Sequence, residues 1–122
     1  MAYDEGLAQR IRDELEEQPG LSEKRMFGGL CFLVGGNMAV GIVKDELMVR
    51  VGPDAYEEAL AQPFARPMDF TKRPMKGFVY VGTQGFEEDT DLARWVGRGV
   101  GFAASLPKSA KRSGARRKGR GR

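Results

Sequence analysis

The stretch from Arg25 to Val51 most constrains the fold, because it contains three apolar runs separated by two short turn signals. The first signal is Gly-Gly-Asn at residues 35–37, which supplies the positive φ angles that a tight hairpin turn needs. The second signal is Lys44-Asp45. Connections this short cannot form a parallel crossover, so consecutive strands must pair antiparallel. The stretch therefore predicts a β-meander, and it points to no particular reaction.

Apolar and mixed positions alternate along this meander, which is typical of an antiparallel sheet with one face covered by helices. Gly28-Gly29 predicts a bend or bulge within the first strand. One face is strongly apolar, and it consists of Leu30, Phe32, Val34, Met38, Val40, Ile42, Leu47, Val49 and Val51. The other face is mixed, and it consists of Cys31, Leu33, Gly41, Val43, Met48 and Arg50.

The segments around the meander predict three helices and two further strands. A four-residue apolar repeat predicts a first helix over roughly residues 3–18, and the acidic residues Asp4 and Glu5 suit its start. A short second helix is predicted to have Pro53 at its first position and to end at Pro63, and a third begins where Asp89 or Thr90 could cap it and ends at Leu106. Strands at residues 66–70 and 78–81 are expected to pair as a hairpin. The order α-β-β-β-α-β-β-α predicts an α+β domain over residues 1–106, with helices packed on an antiparallel sheet.

Composition excludes most common catalytic and metal sites. The chain of 122 residues is long enough for one domain, and it contains one cysteine and no histidine. Without histidine, Ser-His-Asp and Cys-His arrangements are impossible within the chain, and one cysteine without histidine strongly disfavours a conventional Cys- or His-based zinc site. We therefore expect no catalytic residues, metal, cofactor or small-molecule substrate. No apolar run approaches the roughly 20 residues that span a bilayer, and the acidic N-terminus is not a secretory signal, so a cytoplasmic protein without membrane contact is expected.

The charge is distributed unevenly along the chain. Eight of the 20 basic residues and none of the 17 acidic residues lie in residues 107–122, so this tail carries +8 and the rest of the chain −5. The tail has nothing large to bury and is predicted to be disordered. It would either bind phosphates of nucleic acid without reading sequence or simply improve solubility. The candidate contacts are Lys108, Lys111, Arg112, Arg116, Arg117, Lys118, Arg120 and Arg122.

Three other motifs and the single cysteine have simpler structural explanations. Residues 76–81 partly match an RNA-binding signature, but Phe78 and Tyr80 are expected in the core. The glycines of residues 97–101 lack the strand and βαβ unit of a dinucleotide site, and they could instead permit close packing on the sheet. The acidic run at residues 87–91 lacks EF-hand spacing and is explained by helix capping. Cys31 is expected to be buried as a small hydrophobe, with no redox role.

The mixed face of the sheet is the candidate partner-contact surface, represented by Cys31, Leu33, Met48 and Arg50. Exposed methionine and arginine beside small residues would suit a protein partner or a homodimer interface. The alternative is that helices cover both faces. Three helices cannot easily cover both sides of five strands, which favours the interface.

The chain resembles the TfoX N-terminal domain family through six segments that occur in one consistent order between Tyr3 and Leu106. These segments are RMFGGLCF at 25–32, MAVGI at 38–42, LMVRV at 47–51, FARPM at 64–68, PMKGFVYV at 74–81 and LARWV at 92–96. The resemblance implies an α+β fold related to secretion-chaperone-like domains. It also implies a role near the regulation of natural competence, and it implies no catalytic residues. Full-length competence regulators have a second, C-terminal domain, whereas this chain has a basic tail in that place.

Three functional hypotheses follow. The first is a non-enzymatic domain that acts through protein–protein contact in transcriptional regulation. The second is a nucleic-acid-associated protein that binds the phosphate backbone through its tail. The third, an enzyme, is disfavoured because the usual acid–base and nucleophile sets are missing.

Overall fold

Short turns connect the consecutive strands of the meander, as the sequence predicts. The computed structural model describes residues 3–26, 28–68 and 77–107. Within these ranges the chain forms α1 (Glu5–Glu14), β1 (Leu21–Met26), β2 (Gly29–Val34), β3 (Asn37–Val43), β4 (Glu46–Arg50), α2 (Tyr56–Leu60), β5 (Ala65–Pro67), β6 (Phe78–Val81) and α3 (Asp89–Ser105), with a 3₁₀ turn at Thr83–Phe86.

The six strands of the described chain form one antiparallel sheet in the order β1-β2-β3-β4-β6-β5. Gly35 and Gly36 connect β2 to β3 with φ angles of 61° and 82°, the geometry that suits the right-handed twist of a hairpin. Lys44 begins the next reversal, also at a positive φ of 59°. The α+β fold and the meander are therefore confirmed.

The first strand of the prediction is in fact two strands. Met26 pairs antiparallel with Gly29, and Gly28 before it has a φ of 73°, so the chain reverses here instead of bulging. The predicted bend or bulge at Gly28-Gly29 is wrong for this reason. Periodicity could not reveal β1, because residues 22–25 are all exposed and polar.

A bulge lies between β2 and β3 instead. Phe32 faces Val40 and Leu33 faces Met38, so Ala39 is an extra residue in β3. The extra residue turns Ala39 toward α3, where it packs near Ala103. The prediction that Met38 shares a face with Val40 is wrong, because the bulge moves Met38 to the opposite face.

All three described helices pack on the same face of the sheet, here called the helix face. Their buried side chains join those of the strands in one core. α1 is shorter than predicted, and the carboxylate of Asp4 caps it by accepting a hydrogen bond from the Leu7 N–H at 3.1 Å. The main core contains Leu7, Ala8, Ile11, Leu15, Leu30, Phe32, Val40, Ile42, Leu47, Val49, Val51, Tyr56, Ala59, Val79, Val81, Phe86, Leu92, Trp95 and Val96.

The glycines of α3 explain how closely this helix approaches the sheet. A Cβ at Gly99 would lie 2.4 Å from the carbonyl oxygen of Ala39, whereas one at Gly97 or Gly101 would meet nothing within 4 Å. Gly99 therefore lets α3 rest on the bulge of β3. The three glycines do not interrupt the helix, and the predicted close packing on the sheet is confirmed at Gly99.

The start of α3 is held by a neighbouring helix and has no side-chain cap. Its N-cap residue is Glu88, whose side chain makes no capping bond, so the predicted cap at Asp89 or Thr90 is wrong. The guanidinium of Arg10 donates to the carbonyl oxygens of Phe86 (2.9 Å) and Glu87 (3.2 Å) and to the carboxylate of Asp89 (3.1 Å). α1 thus holds the N-terminal end of α3 in place.

The predicted hairpin of the last two strands is confirmed by the pairing of β5 with β6. β5 is an edge strand, as predicted, but it covers only Ala65–Pro67. The remainder of the predicted strand and the predicted turn after it fall at residues 69–76, outside the described residues.

Candidate interaction surface

The sheet face opposite the helices carries four of the protein's methionines, and it is called the methionine face below. No described helix packs on it, because the helices all belong to the helix face. Its side chains form a second apolar cluster, which consists of Met26, Cys31, Leu33, Met38, Val43, Met48, Met68, Phe78 and Tyr80.

The methionine face is buried at its centre and half-buried at its margin. Met48 and Met68 are fully buried, and Cys31 and Tyr80 expose less than a tenth of their surface. The expectation that Met48 is exposed is therefore wrong, and a partner would not contact Met48 or Cys31 directly. The half-buried margin consists of Met26, Leu33, Met38, Val43 and Phe78.

A glycine makes room for the side chain of Met48 in this cluster. Gly41 faces Met48 across β3 and β4, and a Cβ at Gly41 would lie 2.7 Å from the Met48 Cε and 3.2 Å from the Cys31 Sγ. The missing side chain therefore leaves a hollow that the flexible thioether fills. Cys31, Gly41 and Met48, three residues of the predicted mixed face, therefore pack against one another.

Burial also determines the chemistry of Cys31. Removal from water disfavours the thiolate and raises the pKa of the Cys31 thiol to about 11. The thiol is therefore protonated near neutral pH and behaves as a small apolar side chain.

Arg50 lies at the end of β4, between aromatic rings from two elements. Its guanidinium carbon is 5.5 Å from the ring centre of Phe78 and 5.3 Å from that of Phe102 on α3. Partial burial lowers the pKa of Arg50, although an arginine remains charged at any physiological pH. Of the four predicted contact residues, Arg50 and Leu33 are half-buried and reach the surface.

Arg66 borders the methionine face on another side. Its guanidinium lies 4.9 Å from the ring centre of Tyr80 and pairs with the carboxylate of Glu46. The apolar margin at Val43 therefore borders a charged rim at this end of the sheet.

The remaining sequence motifs have structural roles in the described chain. Phe78 and Tyr80 pack in the methionine cluster and do not form an exposed stacking platform. Residues 97–101 lie inside α3. No group of three or more acidic or cysteine side chains in the described ranges is placed to hold a metal ion.

The predicted nucleic-acid contacts in the basic tail lie outside the described residues. The last described residue is Pro107, whose carbonyl oxygen accepts a hydrogen bond from the Asn37 side-chain amide at 2.8 Å. This bond ties the end of α3 to the β2–β3 hairpin. The residues concerned are Lys108, Lys111, Arg112, Arg116, Arg117, Lys118, Arg120 and Arg122.

Phe64 is a surface feature that sequence reasoning missed. Its side chain is 52% exposed, and its backbone has a φ of 67°, a conformation that strains a bulky residue. Beside it is a cleft of about 180 Å³ whose rim includes Gln62, Gln84 and Arg94. Only the proline that precedes Phe64 hinted at irregular backbone here.

Comparison with known proteins agrees with this fold. The model of the TfoX N-terminal domain matches residues 13–103, which is most of the chain. The chain belongs to the TfoX N-terminal domain family. No curated protein matches it significantly. The TfoX N-terminal match covers the sheet from β1 to β6 and nearly all of α3, so the helix face and the methionine face both lie inside it. No helix in the described part of the chain is long and apolar enough to cross a membrane.

Proposed function

We propose that this TfoX N-terminal domain is a non-enzymatic regulatory module that acts through protein–protein contact in transcriptional regulation of competence genes. The contact surface is the margin of the methionine face, with Leu33 and Arg50 as the predicted residues that reach solvent. The proposed location is the cytoplasm.

The observation that carries this proposal is the placement of all described helices on one side of the sheet. The other side keeps a half-buried apolar margin that includes Leu33 and Met38. Methionine-rich surfaces adapt to partners because the side chain is flexible and polarisable. Arg50 adds a fixed positive charge at the border of this surface, a residue type that is enriched in protein interfaces.

The chemistry of the chain supports a non-enzymatic role. The sequence has no histidine, and its one thiol, Cys31, is buried and protonated at neutral pH. Ion pairs account for several charged side chains of the described surface, among them Arg12–Glu23 and Arg98–Glu58. These are exposed structural contacts, which do not converge on a reaction centre.

A complementation experiment tests the proposal in the source organism. A strain that lacks the protein is supplied with the wild type, with a Leu33→Lys/Met38→Lys variant, or with a Gln9→Lys/Asp13→Lys control on the exposed side of α1. Transcripts of DNA-uptake genes are then counted. We expect loss of regulation with the methionine-face variant and retention with the α1 control, with thermal melting showing that both variants fold.

Two outcomes would contradict different parts of the proposal. Unchanged transcripts in the deletion strain would remove the regulatory role altogether. Full activity of the Leu33→Lys/Met38→Lys variant would leave the role in place and remove the methionine face as its contact surface.

The alternative function is attachment to nucleic acid through the basic tail, and the charge asymmetry favours it. Binding of a labelled DNA duplex, followed by fluorescence anisotropy at two salt concentrations, tests this alternative. Counterion release predicts binding that falls steeply with salt and disappears in a variant that ends at Leu106. Equal binding by the full and shortened chains, or no binding by either, would exclude the tail as the segment that binds nucleic acid.

A further inference from the structure

β1 is an edge strand whose outer main-chain groups pair with no strand in the described part of the chain. The Gly35 N–H donates to the Gly20 carbonyl at 3.0 Å, and the register continues with Leu21 opposite Val34. Main-chain groups alternate in direction along an antiparallel strand. The N–H and C=O groups of Leu21, Glu23 and Arg25 therefore point away from β2, toward solvent.

The charges of this edge have both signs. Edge strands commonly carry charged side chains, lysine above all, that discourage pairing with another chain. Here Glu23 precedes Lys24 and Arg25, and all three residues are exposed, although only 34% of the Glu23 side-chain surface is accessible. The Glu23 carboxylate is already oriented, because the Arg12 guanidinium donates two hydrogen bonds to it at 2.8 and 2.9 Å.

We propose that β1 pairs antiparallel with β1 of a second copy of the chain, about a twofold axis at Lys24. This inference goes beyond the proposed regulatory function and does not depend on it. A twofold axis that joins two edges antiparallel must be perpendicular to the sheet, so residues that face each other lie on the same side of it. The pairing satisfies the outward main-chain groups of Glu23 and Arg25 in both copies.

Charge decides the register. In the proposed register Glu23 faces Arg25 of the second copy, and this pair occurs twice by symmetry. Shifting the axis to Glu23 would place the two Glu23 carboxylates opposite each other, which is destabilising. Shifting it to Arg25 would do the same with two guanidinium groups. Pairing at Lys24 costs one like-charge contact and gains two opposite-charge contacts.

The pairing has a consequence for the methionine face. Because the axis is perpendicular to the sheet, the methionine faces of both copies lie on the same side of one continuous sheet. Ser22 of each copy then faces Met26 of the other, and Met26 belongs to the apolar margin. A contact of one short strand is smaller than a standard interface of about 1,600 Å², so the dimer is a reversible one.

Sedimentation equilibrium of the full chain over a range of concentrations tests the dimer. Arg25→Pro removes an outward N–H and the charge, and proline is tolerated at an edge strand whose N–H faces solvent. We expect this variant to be monomeric throughout. The matched control Arg25→Ala keeps the N–H and loses the charge, and its dissociation constant should rise about two- to thirtyfold. Thermal melting confirms that both variants fold.

A change at the axis should act in the opposite direction. Lys24→Thr removes the like-charge contact, so the dissociation constant should fall by about two- to fivefold. A variant with unchanged or weaker association would overturn the register.

Cross-linking reports the register directly. In a Cys31→Ala background, Lys24→Cys places two thiols opposite each other at the axis, within the range that a disulfide spans. We expect rapid oxidation to a covalent dimer. The control Ser22→Cys lies on the same side of β1 but faces Met26 of the other copy, so it should oxidise slowly.

Three further results would overturn the proposal. A chain that is monomeric at every concentration excludes self-pairing and leaves the edge of β1 open to a strand from another protein. A dimer that Arg25→Pro does not weaken, or faster oxidation at residue 22 than at residue 24, places the interface elsewhere.

Discussion

Replacing each glycine of α3 by alanine should have effects of opposite sign at neighbouring positions. In a helix interior, alanine is favoured over glycine by about 1 kcal/mol. At Gly97 and Gly101 the new methyl group would meet nothing within 4 Å, so each change should stabilise the protein by about 0.5–1 kcal/mol.

Gly99→Ala should destabilise the protein in spite of the same gain in helix propensity. The new Cβ would lie 2.4 Å from the Ala39 carbonyl oxygen and 2.7 Å from the Val40 Cγ1, so α3 or β3 must move by about 1 Å to restore contact distances near 3.5 Å. The Ala39 carbonyl oxygen is part of the main chain of β3, a central strand, so it cannot rotate away as a side chain could. Overpacking of this kind costs up to about 3 kcal/mol, which leaves a net loss of about 2 kcal/mol.

Urea unfolding followed by fluorescence measures the difference, because Trp95, the protein's one tryptophan, lies on α3 and is buried in the main core. With a slope of about 2 kcal/mol per molar urea, Gly99→Ala should lower the midpoint by about 1 M while Gly97→Ala raises it. Equal stabilisation by both changes would refute the reasoning, since α3 would then not rest on the bulge of β3.

Three further predictions concern strain, burial and an ion pair. Phe64→Gly should stabilise the protein by up to about 1 kcal/mol in urea unfolding by relieving the positive φ, whereas Phe64→Ala, which keeps the strain, should not. Burial raises the pKa of Cys31 to about 11, so the unfolded chain loses its thiol proton first and stability should fall from pH 9 toward pH 11; melting temperatures of Cys31→Ala should lack this component. The hydrogen bond from Arg12 lowers the pKa of Glu23, so the pair's contribution, below about 1 kcal/mol, is present above the ordinary carboxyl pKa and is lost as the pH falls through the lowered value; acid titration of Glu23→Gln should show a flatter stability profile.

The sequence was most informative where a structure depends on neighbouring residues. Gly35-Gly36 predicted its hairpin because a tight turn needs positive φ at those two positions, whatever the rest of the chain does. β1 was missed because an edge strand exposed on both sides has no hydrophobic period to detect. The bulge at Ala39 was missed because its packing partner is α3, which is distant in sequence and approaches β3 through Gly99.

The candidate surface shows the same limit. Alternation assigned Leu33, Met48 and Arg50 to the correct side of the sheet, because strand geometry fixes which side a residue faces. It could not show that Met48 fills the hollow at Gly41, since that contact joins two strands across the sheet. The contact role of this face stays a prediction, as does the binding role of the tail.

The two proposed contacts can be separated because they use different parts of one sheet. Pairing through β1 uses main-chain groups at the edge, whereas partner contact uses side chains at the margin of the methionine face. Arg50 lies at the end of the central strand β4, and Leu33 lies on β2, next to the edge. If a dimer presents both methionine faces to one partner, Arg25→Pro should weaken that contact through lost avidity while Leu33 and Arg50 stay intact. If the partner binds a single copy, Arg25→Pro should leave regulation unchanged, and only changes such as Leu33→Lys should abolish it.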